Sequence, residues 1–167
     1  MEAVPLRSAR PLSVLLGRER QLLERLCWQL RVAQVLVATD RLAWAGPALR
    51  QADQLADRLA VIELTRALEV AGCSASLGLG GEPDIDELIS RWPAPGRAVL
   101  RRHVHHLRRL AGTVRSRAGD LEEALAPDAT DPLAQIVRLG GLAVVRRLPP
   151  PSLVDFVRLA PPLHRSP

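Results

Sequence analysis

The sequence contains no lysine and no tyrosine, and its aromatic residues are only Trp28, Trp44, Trp92 and Phe156. Sheets and sandwiches rely on β-branched and aromatic side chains, so a chain this poor in aromatics weighs against a sheet-built core. The apolar share of 47%, drawn mostly from Leu, Ala and Val, points instead to helix. Cysteine is equally scarce. Cys27 and Cys73 stand alone with no CxxC spacing, which excludes a disulfide framework and a cysteine-based zinc site. Long apolar runs are missing as well. The stretch from Leu12 to Gly17 ends at Arg18, Glu19 and Arg20, far short of the roughly 18 residues of a membrane helix. It gives no secretory signal either, so the expectation is a cytoplasmic, soluble protein.

What the chain does have is periodicity. Leu100, Val104, Leu107, Ala111, Val114, Ala118, Leu121 and Leu125 recur at alternating steps of four and three, which holds one helix stripe against a partner for more than three heptads. Leu12, Leu16, Glu19, Leu23, Leu26, Leu30, Ala33 and Val37 keep the same beat, with Glu19 as the only polar member. Two such rods are expected to pack together. Between them a further helical stretch places Leu55, Leu59 and Ile62 on one face, and Val61, Leu64 and Leu68 widen that stripe enough to suit two neighbours.

The punctuation sets the expected organisation. A first helix runs from about residue 11 to 45 and breaks near Gly46 and Pro47, and a second stops at Gly72. Residues 72–83, GCSASLGLGGEP, are expected to be loop, because they have no Gly-Lys-Ser/Thr to make a phosphate cradle. A short helix opens at Asp84 and ends around Trp92, and the long seam helix follows from about 97 to 126. The fold class is therefore all-α: an elongated antiparallel bundle of three main helices with a short loop helix. Residues 1–126 form this bundle. Residues 127–167, with 8 of the 14 prolines, form a Pro-rich arm carrying amphipathic segments at 133–148 and 152–160. Leu133, Ile136, Val137, Val144, Val145 and Leu148 mark the first segment, and Leu153, Phe156 and Val157 mark the second. Gly140 and Gly141 make the first segment marginal as a free helix, as expected of an element that orders on binding.

Chemistry finds no constellation. His103, His105 and His106 have no acid or thiol at metal-ligand spacing and sit among arginines, which repel a cation. Cys27 and Ser152 have no evident base, and the paired acids Glu122 and Glu123 read as a solvated face. No catalytic residue, metal or cofactor is expected, and the chain is read as a non-enzyme. The charge is more telling. The net value is +5, and residues 97–117 hold seven Arg, three His and no acid. Arg101, Arg102, Arg108, Arg109 and Arg115 thus form a candidate anion-contact face. Without aromatics for base stacking or a groove-fitting motif, nucleic acid is the alternative partner rather than the leading one. A structural adaptor whose seams pair between chains is a further alternative.

Three stretches together resemble the FlgN-type flagellar export chaperones, in the divergent form found in high-GC actinobacteria. Residues 12–37, LSVLLGRERQLLERLCWQLRVAQVLV, are similar to the family's first helix. Residues 59–72, LAVIELTRALEVAG, are similar to the close of its second, and residues 84–125, from DIDELISRW through LRRLAGTVRSRAGDLEEAL, to its loop helix and long third helix. The third helix departs in carrying Arg and His where such proteins usually carry Asn and Glu. The resemblance implies a helical chaperone that holds hook-filament junction subunits before export, gripping them through its carboxy-terminal region. The residues placed to do so here are Leu133, Ile136, Val137, Val144, Val145, Leu148, Leu153, Phe156 and Val157.

Overall fold

The computed structural model describes residues 9–79, 85–126 and 132–147, and these form five α-helices. The helices are α1 (Ala9–Ala38), α2 (Leu42–Ser76), α3 (Ile85–Arg91), α4 (Ala94–Ala124) and α5 (Pro132–Arg147). The all-α bundle expected from the two seams is present. α1 is the shared rod. α2 returns antiparallel along one side of it, and α4 runs parallel to it along the other, with Ser13 beside His103 near one end and Gln34 beside Arg117 near the other. The seams face inward as their spacing requires. Leu12, Leu16, Leu23, Leu26, Leu30 and Ala33 of α1 are buried against Leu100, Val104, Leu107, Ala111, Val114, Leu121 and Leu125 of α4 and the inner face of α2. Val37 and Ala118, the outermost seam members, are half-buried.

α3 and α5 close the two ends. Both contact α2 and α4 without reaching α1, so they fill the space that those two rods leave between them. At one end α3 and the following chain bury Ile85, Leu88, Ile89 and Trp92, and the Arg97 side chain donates from Nε to the Trp92 carbonyl at 2.9 Å. At the other, α5 lays Gly141 against the start of α2 and the end of α4. A Cβ at Gly141 would stand 2.8 Å from Leu125 Cδ1 and 3.0 Å from Leu49 Cδ1. The glycine is therefore what lets α5 approach, and Leu142 and Val144 on either side of the crossing are buried.

Two boundaries fall elsewhere than the glycine and proline signals suggest. The first break lies at residues 39–41, because Asp40 takes a left-handed conformation (φ 56°) that a short polar side chain tolerates. Thr39 completes the turn by donating from Oγ1 to the Val35 carbonyl at 2.8 Å. Pro47 sits inside α2 without ending it. α2 also runs past Gly72 to Ser76. It closes on Gly78 (φ 68°), with Gly78 N–H donating to Ala75 and Leu79 N–H to Ser74, the paired bonds of a Schellman cap.

Candidate functional site

The nine residues expected to grip a partner separate in the structure. Val144 is 8% exposed, held on the bundle beside the Gly141 crossing. Leu133, Ile136, Val137 and Val145 lie within α5, and Leu148, Leu153, Phe156 and Val157 lie outside the described residues. α5 is tied down at its polar edge too. Arg138 donates to the Ala126 carbonyl at 3.0 Å, and Arg146 Nε meets Glu122 Oε1 at 2.8 Å.

The α4 arginines divide by function in the fold. Arg108 pairs with Asp86 of α3, Arg117 donates to Gln34 Oε1 at 3.1 Å, and Arg97 is spent on Trp92. Arg101, Arg102, Arg109 and Arg115 are exposed, and α4 has no acid until Asp120. Four guanidinium groups on one rod thus supply a positive stripe, with His105 exposed among them.

A second surface lies along α2. Between α1 and α2 two shallow hollows adjoin, sharing Gln21, Arg25 and Arg58 in their walls. Trp28 and Leu55 line one, of about 670 Å³, and Leu22, Val61 and Ile62 line the other, of about 410 Å³. Beside them the back of α2 is bare. Val61, Leu64 and Leu68, expected to meet a second neighbour, are 66%, 65% and 68% exposed. Ala60, Thr65, Ala71 and Ala75 are the other exposed residues of α2 from 60 to 75, so this face carries no charge. The signal was present in the sequence as the widened stripe, but spacing alone does not say whether a stripe has a partner.

Inside the bundle, Glu19 meets a cation contributed by the other rod. Arg66 Nε lies 3.4 Å from Glu19 Oε2, with both side chains almost wholly buried. Burial pushes the Glu19 carboxyl up to about 7, Arg66 pulls it down, and Glu63 adds to the rise. Elsewhere, Ser13 Oγ and His103 Nε2 are 3.1 Å apart. Arg20 and Arg102 are the charged groups that bear on His103. Burial, then Arg20, Arg102 and His106, hold its pKa below the usual value. Cys27 donates weakly from Sγ to the Leu110 carbonyl at 3.9 Å, and burial raises its thiol pKa, against Arg117 and with Glu24. That is the environment of an inert thiol.

Among the described residues no group of three or more His, Cys, Asp or Glu is placed to hold a metal ion, and no helix is long and apolar enough to cross a membrane. No family model, curated protein or solved structure matches the chain. The described residues define an all-α helical bundle.

Proposed function

We propose that this chain is a non-enzymatic, cytoplasmic export chaperone that binds late flagellar subunits of the hook-filament junction type before secretion. The observation that carries this reading is the order of the rods. The first helix, the second, a short loop helix and a long third helix pack through the seams whose sequences carry the resemblance to FlgN-type chaperones. Val144 is docked on the bundle, so in this reading the grip is made by the other eight residues, Leu133, Ile136, Val137, Val145, Leu148, Leu153, Phe156 and Val157, foremost the four that follow α5. Each Leu or Val that a subunit buries there contributes roughly 1.5–3 kcal/mol before ordering costs. The test is calorimetric titration of purified junction-type subunits with the whole chain and with a chain ending at Arg147. The whole chain is expected to bind and the shortened one to lose at least tenfold in affinity. Undiminished binding by the shortened chain removes the tail from the grip, and no binding by the whole chain removes the reading.

One observation favours a polyanion as a second class of partner: the exposed stripe of Arg101, Arg102, Arg109 and Arg115. Binding of that kind falls steeply with salt. Mobility-shift measurements on mixed DNA and RNA at low ionic strength decide it, and no shift there ends this alternative.

A further inference from the structure

The outer face of α2 is bare and apolar at its centre. Its centre is Val61, Leu64 and Leu68, exposed to 66%, 65% and 68%. Nothing among the described residues covers them, and folded monomers rarely leave a contiguous apolar patch open. Arg58 and Glu69 bound the patch along one flank, eleven residues and so about three helical turns apart. Cys73 Sγ already donates weakly to Glu69 Oε1 at 3.8 Å, so Glu69 would share its carboxylate between that thiol and a second partner.

Consider a two-fold axis crossing α2 between Leu64 and Thr65. It exchanges Val61 with Leu68 and places Arg58 of one copy opposite position 71 of the other. That is two residues, about 3 Å of axial rise, from Glu69 of that copy. In an antiparallel helix pair like flanks meet, so the arginine and the carboxylate fall on the same side of the seam. The two-fold repeats this pairing at the other end. Ala60, Thr65, Ala71 and Ala75 line the rest of the face from residue 60 to 75, where small side chains let two backbones come close, and Asp57 is exposed at its margin one turn before Val61.

We propose that α2 docks against α2 of a second copy of this chain, antiparallel, through Val61, Leu64 and Leu68, with Arg58 and Glu69 paired across both ends. Such an interface is isologous and closes on itself, so it yields dimers and not filaments. One helix face sits at the small end of stable interfaces, which bury about 1,200–2,000 Å², so the dimer is a weak one with a dissociation constant on the order of micromolar. The proposal stands apart from the flagellar reading and needs no partner of another kind.

Sedimentation equilibrium of the full chain across a range from low to high micromolar concentration tests it. The expected result is a monomer–dimer equilibrium that Leu64→Glu abolishes. Arg58→Glu should weaken the dimer at least tenfold, and combining it with Glu69→Arg should restore most of that loss, which a purely apolar contact would not do. A chain that stays monomeric throughout overturns the proposal. So does a dimer indifferent to Leu64→Glu. Within a monomer, thermal unfolding then names the true occupant. A lowered Tm in Leu64→Glu means that the chain's own residues cover the face, and an unchanged Tm leaves it to a different protein.

Discussion

α2 and α4 lay similar apolar stripes on the two sides of α1, yet they meet solvent in opposite ways. α4 turns out Arg101, Arg102, Arg109 and Arg115, whereas the exposed residues of α2 from 60 to 75 include no charge at all. Their inner faces differ as well. The α1–α4 seam is apolar along its length, with polar contacts only at its rim, such as Gln34 to Asp120 at 3.1 Å. The α1–α2 packing encloses Glu19 and Arg66. A seam made only of Leu, Val and Ala tolerates sliding by a turn, because each step finds another apolar neighbour. A buried ion pair does not, since misalignment strands both charges in a low-dielectric interior. The pair therefore fixes the register of α2 on α1, and with it which residues α2 presents outward.

The largest effect is expected from breaking that pair on one side. Arg66→Ala removes the cation beside the buried Glu19 and, measured above pH 7 where that carboxyl is ionised, should cost about 3–5 kcal/mol in chemical denaturation. Replacing both residues with leucine should recover most of that loss, because a well-packed apolar pair is often as stable as a buried ionic one. If the double replacement is as damaged as the single one, the pair does more than hold register.

The next effect is one of pH. The Glu19 carboxyl titrates at its ordinary 4.5 in the unfolded chain and at about 7 in the folded one, so between those values folding takes up a proton. Its contribution to stability is therefore present in full below 4.5 and is lost as pH rises to 7, at a slope of up to roughly 1.4 kcal/mol per pH unit. Subtracting the pH profile of Glu19→Gln from that of the parent isolates this slope. At the rim of the α1–α4 seam His103, whose pKa is lowered, acts in the opposite sense, its contribution being lost as pH falls below its ordinary 6.5.

Smaller effects come from α5, which joins the two rods. Gly141→Ala drives a methyl group to within 2.8 Å of Leu125 Cδ1 and 3.0 Å of Leu49 Cδ1, both on buried leucines, and should cost about 1–2 kcal/mol. Gly140→Ala meets no atom within 4 Å and should gain up to about 1 kcal/mol from helix propensity. Thermal unfolding should thus shift in opposite directions for two adjacent glycines. Shifts of the same sign would mean that α5 does not cross where Gly141 permits it.

The seams were legible because Leu at alternating steps of three and four leaves one solution for a helix stripe, and every seam residue from Leu100 to Val114 is buried. Glu19 was legible as an interruption but its partner was not. Which residue of α2 comes level with Glu19 depends on where the chain turns, and the turn is made by Thr39 and Asp40, a weaker signal than the Gly46–Pro47 pair that follows. The end of α2 was misplaced for a related reason. Gly72 is a possible cap, but six residues later Gly78 supplies the left-handed residue that the Schellman bonds require. Gly140 and Gly141 read as a weak point because propensity is local, whereas the value of Gly141 lies in what comes near it in space. The outward stripe of Val61, Leu64 and Leu68 was seen in the sequence, but no spacing rule reports whether its neighbour exists.

The central claim is that the bundle is complete without the outer face of α2, so that this face is free for association. Chemical denaturation of a chain carrying both Leu64→Glu and Leu68→Glu, measured at a concentration low enough to keep it monomeric, tests this most directly. The unfolding free energy is expected to stay within about 0.5 kcal/mol of the parent, as for substitutions on an exposed surface. A loss of several kcal/mol would contradict the claim, because it would mean that Leu64 and Leu68 are buried within the folded monomer.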